Sequence, residues 1–238
     1  LDPTGLFNPG KIVDPPKMDD RRLFRFKPGY TTPPLKTGLD WSAWGGPAGA
    51  AEMCNNNGAC RNLSLAGVMC PSFKVTGDEA HLTRGRANLL RLGLSGQLGP
   101  DALHSDAMAD AMSLCVGCKG CKRECPVGVD MAAMKIEVQY QRAKHSGVSW
   151  HDRLVAYLPH YAPWAARLAP LLNLRDQLPG LAWLSEKLFG FTAKRPLPRW
   201  RRDTFQPGQD AHGPADGAEV VLFADTFNTA FERENLEA

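Results

Sequence analysis

Seven cysteines dominate the chemistry available to this 238-residue chain. Four of them fall in the run C-V-G-C-K-G-C-K-R-E-C-P, from Cys115 to Pro126. Gaps of two, two and three residues, closed by Cys-Pro, are the spacing of a 4Fe-4S half-site, in which thiolates reach the corners of one iron-sulfur cube. Cys54, Cys60 and Cys70 lie upstream and end in a second Cys-Pro pair, Cys70-Pro71. Cysteines that are clustered and odd in number suit metal ligation in a reducing compartment better than disulfides.

In two-cluster proteins of this spacing the fourth cysteine of each run ligates the other cluster, because the chain crosses between the sites. Under that rule cluster II takes Cys115, Cys118 and Cys121 from the second run and Cys70 from the first. Cluster I takes Cys54, Cys60 and Cys125, and the position where a fourth cysteine would stand is Asn57. Three states of cluster I stay open: a 3Fe-4S centre, a 4Fe-4S cluster completed by Asn57 or water, or no cluster. The competing reading is a structural zinc site built from Cys115, Cys118, Cys121 and Cys125. Zinc sites of that kind separate two ligand pairs by a longer knuckle, which speaks against it.

The loops have the residues such sites require. Gly58, Gly117 and Gly120 allow tight backbone, and Pro71 and Pro126 end each loop without an N–H. Lys119, Lys122 and Arg123 would partly offset cluster charge. Arg84, Arg86 and Arg91, in T-R-G-R-A-N-L-L-R, read either as a solvated helix face or as a patch that docks a partner or tunes a cluster. The six histidines are scattered singly, His81 and His104 nearest the cysteines, and suggest no catalytic pairing. Met53, Met69, Met108 and Met112 read as apolar packing. No Ser/His/Asp or paired-carboxylate arrangement supports hydrolysis, and Leu92 to Gln97 is a glycine-containing turn without a phosphate-binding lysine.

Helices must hold these loops in place. Thr76 with Glu79 forms a capping-box pattern that predicts a helix through Ala87, Leu89 and Leu90 towards Leu92. A helix over Ser105 to Leu114 leads into Cys115. Asp130 is the expected cap of a helix from Met131 to about His145, with Met131, Met134 and Val138 along one face and Gly147 beyond its end. The expected core, 47–148, is therefore an α-helical ferredoxin-like domain with two cluster loops.

Residues 1–46 are rich in Pro, Gly and charge and read as a long irregular arm, with Trp41 and Trp44 anchoring its end. Residues 149–217 form a connector of short helices interrupted by prolines, followed by a polar linker from Gly208 to Gly217. Trp164, Leu168, Leu171 and Leu172 in this stretch fit either packing on a neighbouring domain or a membrane-surface patch. Val220 to Ala224 reads as a buried parallel strand and Phe231 to Ala238 as the first turns of a helix, so 218–238 is the expected truncated βα start of a further domain. The fold class expected is mainly α.

With 23 Gly and 19 Pro, long irregular stretches are expected between compact parts. A net charge of +3 with no dense basic patch makes no case for nucleic acid. No apolar run is long enough to span a bilayer and no signal peptide is visible, so a cytoplasmic location is the default. The start at Leu1 without Met, and the stop at Ala238 within a helical pattern, suggest a piece of a longer polypeptide.

The segment from Met53 through Asp130, with C-N-N-N-G-A-C-R, V-M-C-P-S-F-K-V-T-G-D-E, T-R-G-R-A-N-L-L-R and C-V-G-C-K-G-C-K-R-E-C-P-V-G-V-D-M, resembles the iron-sulfur half of FAD-linked 2-hydroxyacid dehydrogenases. That family includes D-lactate and D-2-hydroxyglutarate dehydrogenases and the glycolate oxidase iron-sulfur subunit. The opening L-D-P-T-G-L-F-N-P-G-K-I-V is similar to the end of their flavin-binding part, and V-L-F-A-D-T-F-N-T-A-F-E-R-E-N to the start of their C-terminal cysteine-rich (CCG) domain. The resemblance implies an electron-transfer module that takes electrons from reduced FAD and passes them through two clusters to a quinone or other acceptor. It implies ligation by Cys54, Cys60, Cys70, Cys115, Cys118, Cys121 and Cys125, and partners in the flavin and cysteine-rich domains, with peripheral contact at the inner face of the cell membrane open. No catalytic, flavin-binding or substrate-binding residue is assigned within the chain. Two other readings stand beside it: the iron-sulfur subunit of an anaerobic glycerol-3-phosphate dehydrogenase, and a structural metal-bound scaffold.

Overall fold

A computed structural model describes residues 2–7, 9–64, 66–206, 208, 216–218 and 220–237. Among them the regular structure is helical, with no strand. The chain divides into two compact units, Leu1–Gly147 and Val148–Ala238.

The first unit contains six α-helices among its described residues: α1 Pro47–Glu52, α2 Pro71–Thr76, α3 Thr83–Leu94, α4 Asp106–Ser113, α5 Gly120–Glu124 and α6 Met131–Ser146. Helix α6 begins where the Asp130 side chain accepts from the Ala133 N–H, and it ends at Gly147, whose φ is +80°. Ser105 caps α4 in the same way through the Met108 N–H. Both caps satisfy N–H groups that the helix itself cannot.

The start of α3 differs from the capping-box expectation. Thr76 is the last residue of α2, which closes at Gly77 with φ +67°. Asp78 then caps a short turn, Glu79–His81, and Leu82 is extended before α3 begins at Thr83. The Thr76 hydroxyl instead donates to the Ser72 carbonyl and meets His81 Nδ1. Gly77 supplies a left-handed turn that a continuous helix cannot contain.

The core of this unit contains Phe73, Leu82, Ala87, Leu90, Met108, Met112, Val129, Met131, Met134 and Val138. Cys54, Cys60, Cys70 and Cys121 are buried in the same core, and Cys115 and Cys125 pack against it. Cysteine loops are thus part of the packing between helices, not appendages to it.

The N-terminal arm is fixed at defined points. Trp41 is buried and donates from Nε1 to Glu137 on α6 at 2.9 Å, while Trp44 remains partly exposed. Glu137 also accepts from the backbone of Gly38 and Leu39 and from Gln141. Burial pushes this carboxyl up, but the hydrogen bonds from Trp41, Gln141, Gly38 and Leu39 hold it below its ordinary value.

The second unit holds α7 Trp150–Ala156, α8 Leu158–Arg167, α9 Ala169–Leu172, α10 Leu174–Gln177, α11 Leu181–Phe189, α12 Thr226–Phe231 and α13 Glu234–Glu237. Pro159 and Pro170 lie in the first turns of α8 and α9, where a missing N–H costs nothing, whereas Pro163 stands inside α8. Trp200 packs on Phe231 at 4.8 Å between ring centres, and its backbone N–H and C=O are both bonded by the Asn173 amide. Leu154, Leu158, Trp164, Leu168, Leu184 and Leu188 line a broad apolar groove of this unit. None of the helices described is long and apolar enough to cross a membrane.

The expected strand at Val220 to Ala224 is not formed. These residues have no ladder partner among the described residues, and Val220, Val221 and Phe223 are each more than four-fifths exposed. A strand needs a neighbour to accept its hydrogen bonds, and apolar composition alone cannot supply one. Asp225 instead caps α12, accepting from Phe227 and Asn228, so the terminal helix starts before Phe231 and breaks at Glu232. Most of the expected linker from Gly208 to Gly217 lies outside the described residues.

Candidate metal centre

Four of the seven cysteines line one cavity. Cys70, Cys115, Cys118 and Cys121 line this small cavity together with Thr83, Arg86 and Met131. Cys70 comes from the end of the first loop and the other three from the second.

Local backbone explains how the sulfurs converge. Cys70 sits at φ +53° and Lys119 at φ +57°, the left-handed region that L residues avoid unless the surroundings over-determine it. Each marks a sharp turn immediately before a helix, α2 after Cys70 and α5 after Lys119. Gly120 permits the two loops to touch: a Cβ there would lie 3.0 Å from Val68 Cγ2 and 3.3 Å from the Met69 nitrogen.

Helix starts supply donors to the sulfurs. The Thr83 N–H, at the start of α3, lies 3.1 Å from Cys70 Sγ, and the Thr83 hydroxyl 3.0 Å from it. The Met131 N–H, at the start of α6, lies 3.3 Å from Cys121 Sγ. Burial pushes the Cys121 thiol up, while the Met131 and Ala132 N–H groups favour its thiolate. Burial likewise pushes Cys60 up, opposed by the Arg84 backbone N–H. Unbound, the Cys60 and Cys121 thiols are therefore held against ionisation by desolvation, and a coordinated metal would overcome that cost by deprotonating them.

Cys54 and Cys60 are both buried at the first loop, and Cys125 is half-buried against the same core. Asn57 is committed to its own loop. Its Oδ1 accepts from the Ala59 N–H at 2.8 Å and its Nδ2 donates to Asn55 Oδ1 at 2.6 Å. Arg25 of the N-terminal arm donates to the Cys54 carbonyl at 2.6 Å and to Asn88, which in turn donates to Asn56.

Glu124 links the loops in a way that the sequence pattern did not indicate. Its two carboxylate oxygens accept the Val68 and Met69 N–H groups, each at 2.9 Å, just before Cys70. Those two backbone donors lower its carboxyl below the ordinary value. Lys135 of α6 donates to the Cys115 carbonyl at 2.5 Å and fixes the entrance of the second loop.

The basic residues divide. Lys119 and Lys122 face Asp130 at 3.9 and 3.5 Å, so their charge is shared with a carboxylate. Arg84 pairs with Glu79 at 2.7 Å. Arg86 is only 2% exposed and donates to two neutral acceptors, the Ala111 carbonyl at 2.5 Å and Ser72 Oγ at 3.1 Å. No carboxylate pairs with it among the described residues. Its place was legible as a position: Thr83, Arg86, Ala87 and Leu90 form one buried stripe of α3.

The residues present fit an iron-sulfur cluster. Four soft thiols converge on one cavity, helix N–H groups face two of them, and a buried cation without a carboxylate lines the same space, a set that favours an anionic, sulfur-ligated occupant. Residues 50–129 match the family model of the 4Fe-4S dicluster domain. The chain is 29% identical over 231 aligned residues to the D-2-hydroxyglutarate dehydrogenase of Escherichia coli, covering 80% of this chain and 22% of that protein. With the enzyme of that name from Pseudomonas putida it shares 27% identity, covering 100% of this chain and 28% of the relative. A Bacillus subtilis protein named "Probable glycolate oxidase iron-sulfur subunit" is 33% identical over 37% of this chain and 20% of its own length. The chain thus spans less than a third of each of these relatives. No solved structure matches it. Residues 50–129 are therefore similar to the 4Fe-4S dicluster domain, in a chain similar to part of proteins named D-2-hydroxyglutarate dehydrogenase and probable glycolate oxidase iron-sulfur subunit.

Proposed function

We propose that the chain is the electron-transfer module of an FAD-dependent 2-hydroxyacid dehydrogenase. The observation that carries this reading is the cavity joining Cys70 to Cys115, Cys118 and Cys121. In this reading those four thiolates hold cluster II, and Cys54, Cys60 and Cys125 hold cluster I. Asn57 shapes the first loop through its bonds to Asn55 and Ala59, and would complete cluster I only by giving up one of them.

Bound clusters supply one-electron storage and transfer. The protein's own part is positional. Thr83 and Met131 aim N–H groups at sulfur, Glu124 holds one loop against the other, and the buried core of α3, α4 and α6 keeps water from the inner sulfurs. Electrons enter from a flavin reduced by a 2-hydroxy acid and leave to a quinone or another carrier.

The flavin-bearing and cysteine-rich parts of the same polypeptide are the partners in this reading, supported by the similarity to much longer dehydrogenases. A reducing, cytoplasmic setting suits seven unpaired cysteines. Peripheral contact with the inner membrane face finds support in exposed Trp150, Trp164 and Trp183, each with an Arg or Lys cation within 6 Å of its ring centre.

The test is anaerobic addition of D-2-hydroxyglutarate, D-lactate or glycolate to the flavin-bearing polypeptide that contains this chain. Bleaching of the broad visible absorption of the clusters by one of these acids, with no other reductant present, is the expected outcome. Clusters that dithionite reduces but no 2-hydroxy acid reduces would remove the substrate class.

A further inference from the structure

We propose that Arg86 is the built-in counter-charge of cluster II and holds its reduction potential above the value that the four thiolates alone would give. The inference rests on the reading that Cys70, Cys115, Cys118 and Cys121 hold one cluster.

Arg86 lies on the buried stripe of α3 and lines the same cavity as those four cysteines. Its tethers are neutral: the Ala111 carbonyl on α4 and the Ser72 hydroxyl on α2. Four other basic residues around the loops have acidic partners. Arg61 and Arg84 pair with Glu79 at 3.1 and 2.7 Å, and Lys119 and Lys122 share Asp130.

A guanidinium stays protonated in proteins, and a buried cation without an anion is strongly unfavourable. Burial disfavours the Arg86 cation, and thiolates at Cys115, Cys70 and Cys121, which line the same cavity, oppose that. The compensating anion is therefore a thiolate-ligated group in the cavity, not a side-chain carboxylate.

Reduction moves one electron from the donor, a reduced flavin, onto the iron-sulfur centre. No bond forms or breaks and no proton is required, so the site gains one negative charge. A fixed positive charge in a poorly solvated place stabilises the reduced state more than the oxidised one. The tethers to two helices hold that charge in position before the electron arrives, so little reorganisation is needed. Arg84 is the contrast within the same helix: its charge is shared with Glu79 at the protein surface, and it lies beside the first loop, where its Nη1 would be 3.3 Å from a Cβ at Gly58.

The experiment is an anaerobic redox titration of the full chain loaded with iron and sulfide, followed by electron paramagnetic resonance, for wild type, Arg86→Gln and Arg86→Lys. Iron and sulfide are assayed in each sample. Arg86→Gln should lower the reduction equilibrium constant of one cluster at least ten-fold, about 59 mV for one electron, and leave the other unchanged. Arg86→Lys, which keeps the charge and alters the tethers, should stay within about three-fold of wild type. Full iron content with unmoved potentials in Arg86→Gln would overturn the proposal. If the glutamine variant does not load, the lysine variant decides: a loaded cluster near the wild-type potential supports the counter-charge, and loss of the cluster there too shows a structural tether and overturns it. A wild-type chain without a four-iron cluster would sink the ligand reading itself, visible in the iron count before any variant is compared.

Discussion

Single residues define which thiolates belong together. Cys70 shares a cavity with Cys115, Cys118 and Cys121, while Cys125, only four residues beyond Cys121, lies outside the lining of that cavity. On the proposed division, Cys70→Ser should remove the signal of the complete four-iron cluster, whereas Cys125→Ser should damage cluster I and largely spare cluster II. Electron paramagnetic resonance of the two variants, oxidised and reduced, separates the cases, and identical spectra would refute the crossing of the two runs. Glu137 carries a pH dependence of known sign. Its carboxyl is held below the ordinary value in the fold, so its stabilising effect is complete above about pH 4.5 and is lost as pH falls through the folded-state value. Thermal unfolding from pH 7 down to pH 3 should show a stability loss that Glu137→Gln diminishes. Glu137→Ala leaves the buried Trp41 Nε1–H without its acceptor, at roughly 1–3 kcal/mol.

At the scale of elements, the loops and helices depend on one another. Gly120 lies against Val68 and Met69, and Glu124 bonds the same two residues from the next turn. Gly120→Ala would force backbone apart and should lower the unfolding free energy by about 1–3 kcal/mol, with iron lost faster to a chelator. At Gly117, by contrast, φ is +68° and a Cβ meets open space, so Gly117→Ala should cost only the left-handed strain, about 1–2 kcal/mol. Chelator-challenge rates for both variants check this ordering. Much of this arrangement is legible in the sequence, because cysteine spacing and helix caps are local signals: Ser105, Asp130 and Gly147 stand where α4 and α6 begin or end. Hydrogen bonds between segments distant in the chain are not legible. Glu124 looks like a solvated member of K-R-E, yet its partners are more than fifty residues away. Arg86 is disguised by composition: a basic run suggests water, and only the stripe of Thr83, Ala87 and Leu90 shows that one of its arginines faces inward. The misplaced start of α3 and the unformed strand at Val220 to Ala224 share a cause, since each depends on what surrounds a segment whose own residues permit more than one conformation.

For the whole molecule, the cysteine-bearing unit Leu1–Gly147 and the helical unit Val148–Ala238 divide the chain's roles. The first contains all seven cysteines. The second has an apolar groove and exposed tryptophans, on which the proposed peripheral contact rests. The arm that precedes α1 is integrated with the first unit through Arg25 at Cys54 and Trp41 at Glu137, so it influences the first cysteine loop as well as connecting it. Arg25→Ala should therefore speed loss of cluster I without altering cluster II, as read by cluster-specific resonance signals during chelator challenge. On the proposed ligation the seven cysteines hold two iron-sulfur clusters, of which one is a complete cube. Anaerobic iron and acid-labile sulfide analysis of the chain tests it most directly. About seven or eight irons per chain are expected, with sulfide in matching amount; a colourless protein carrying zinc and no labile sulfide would overturn the proposed ligation.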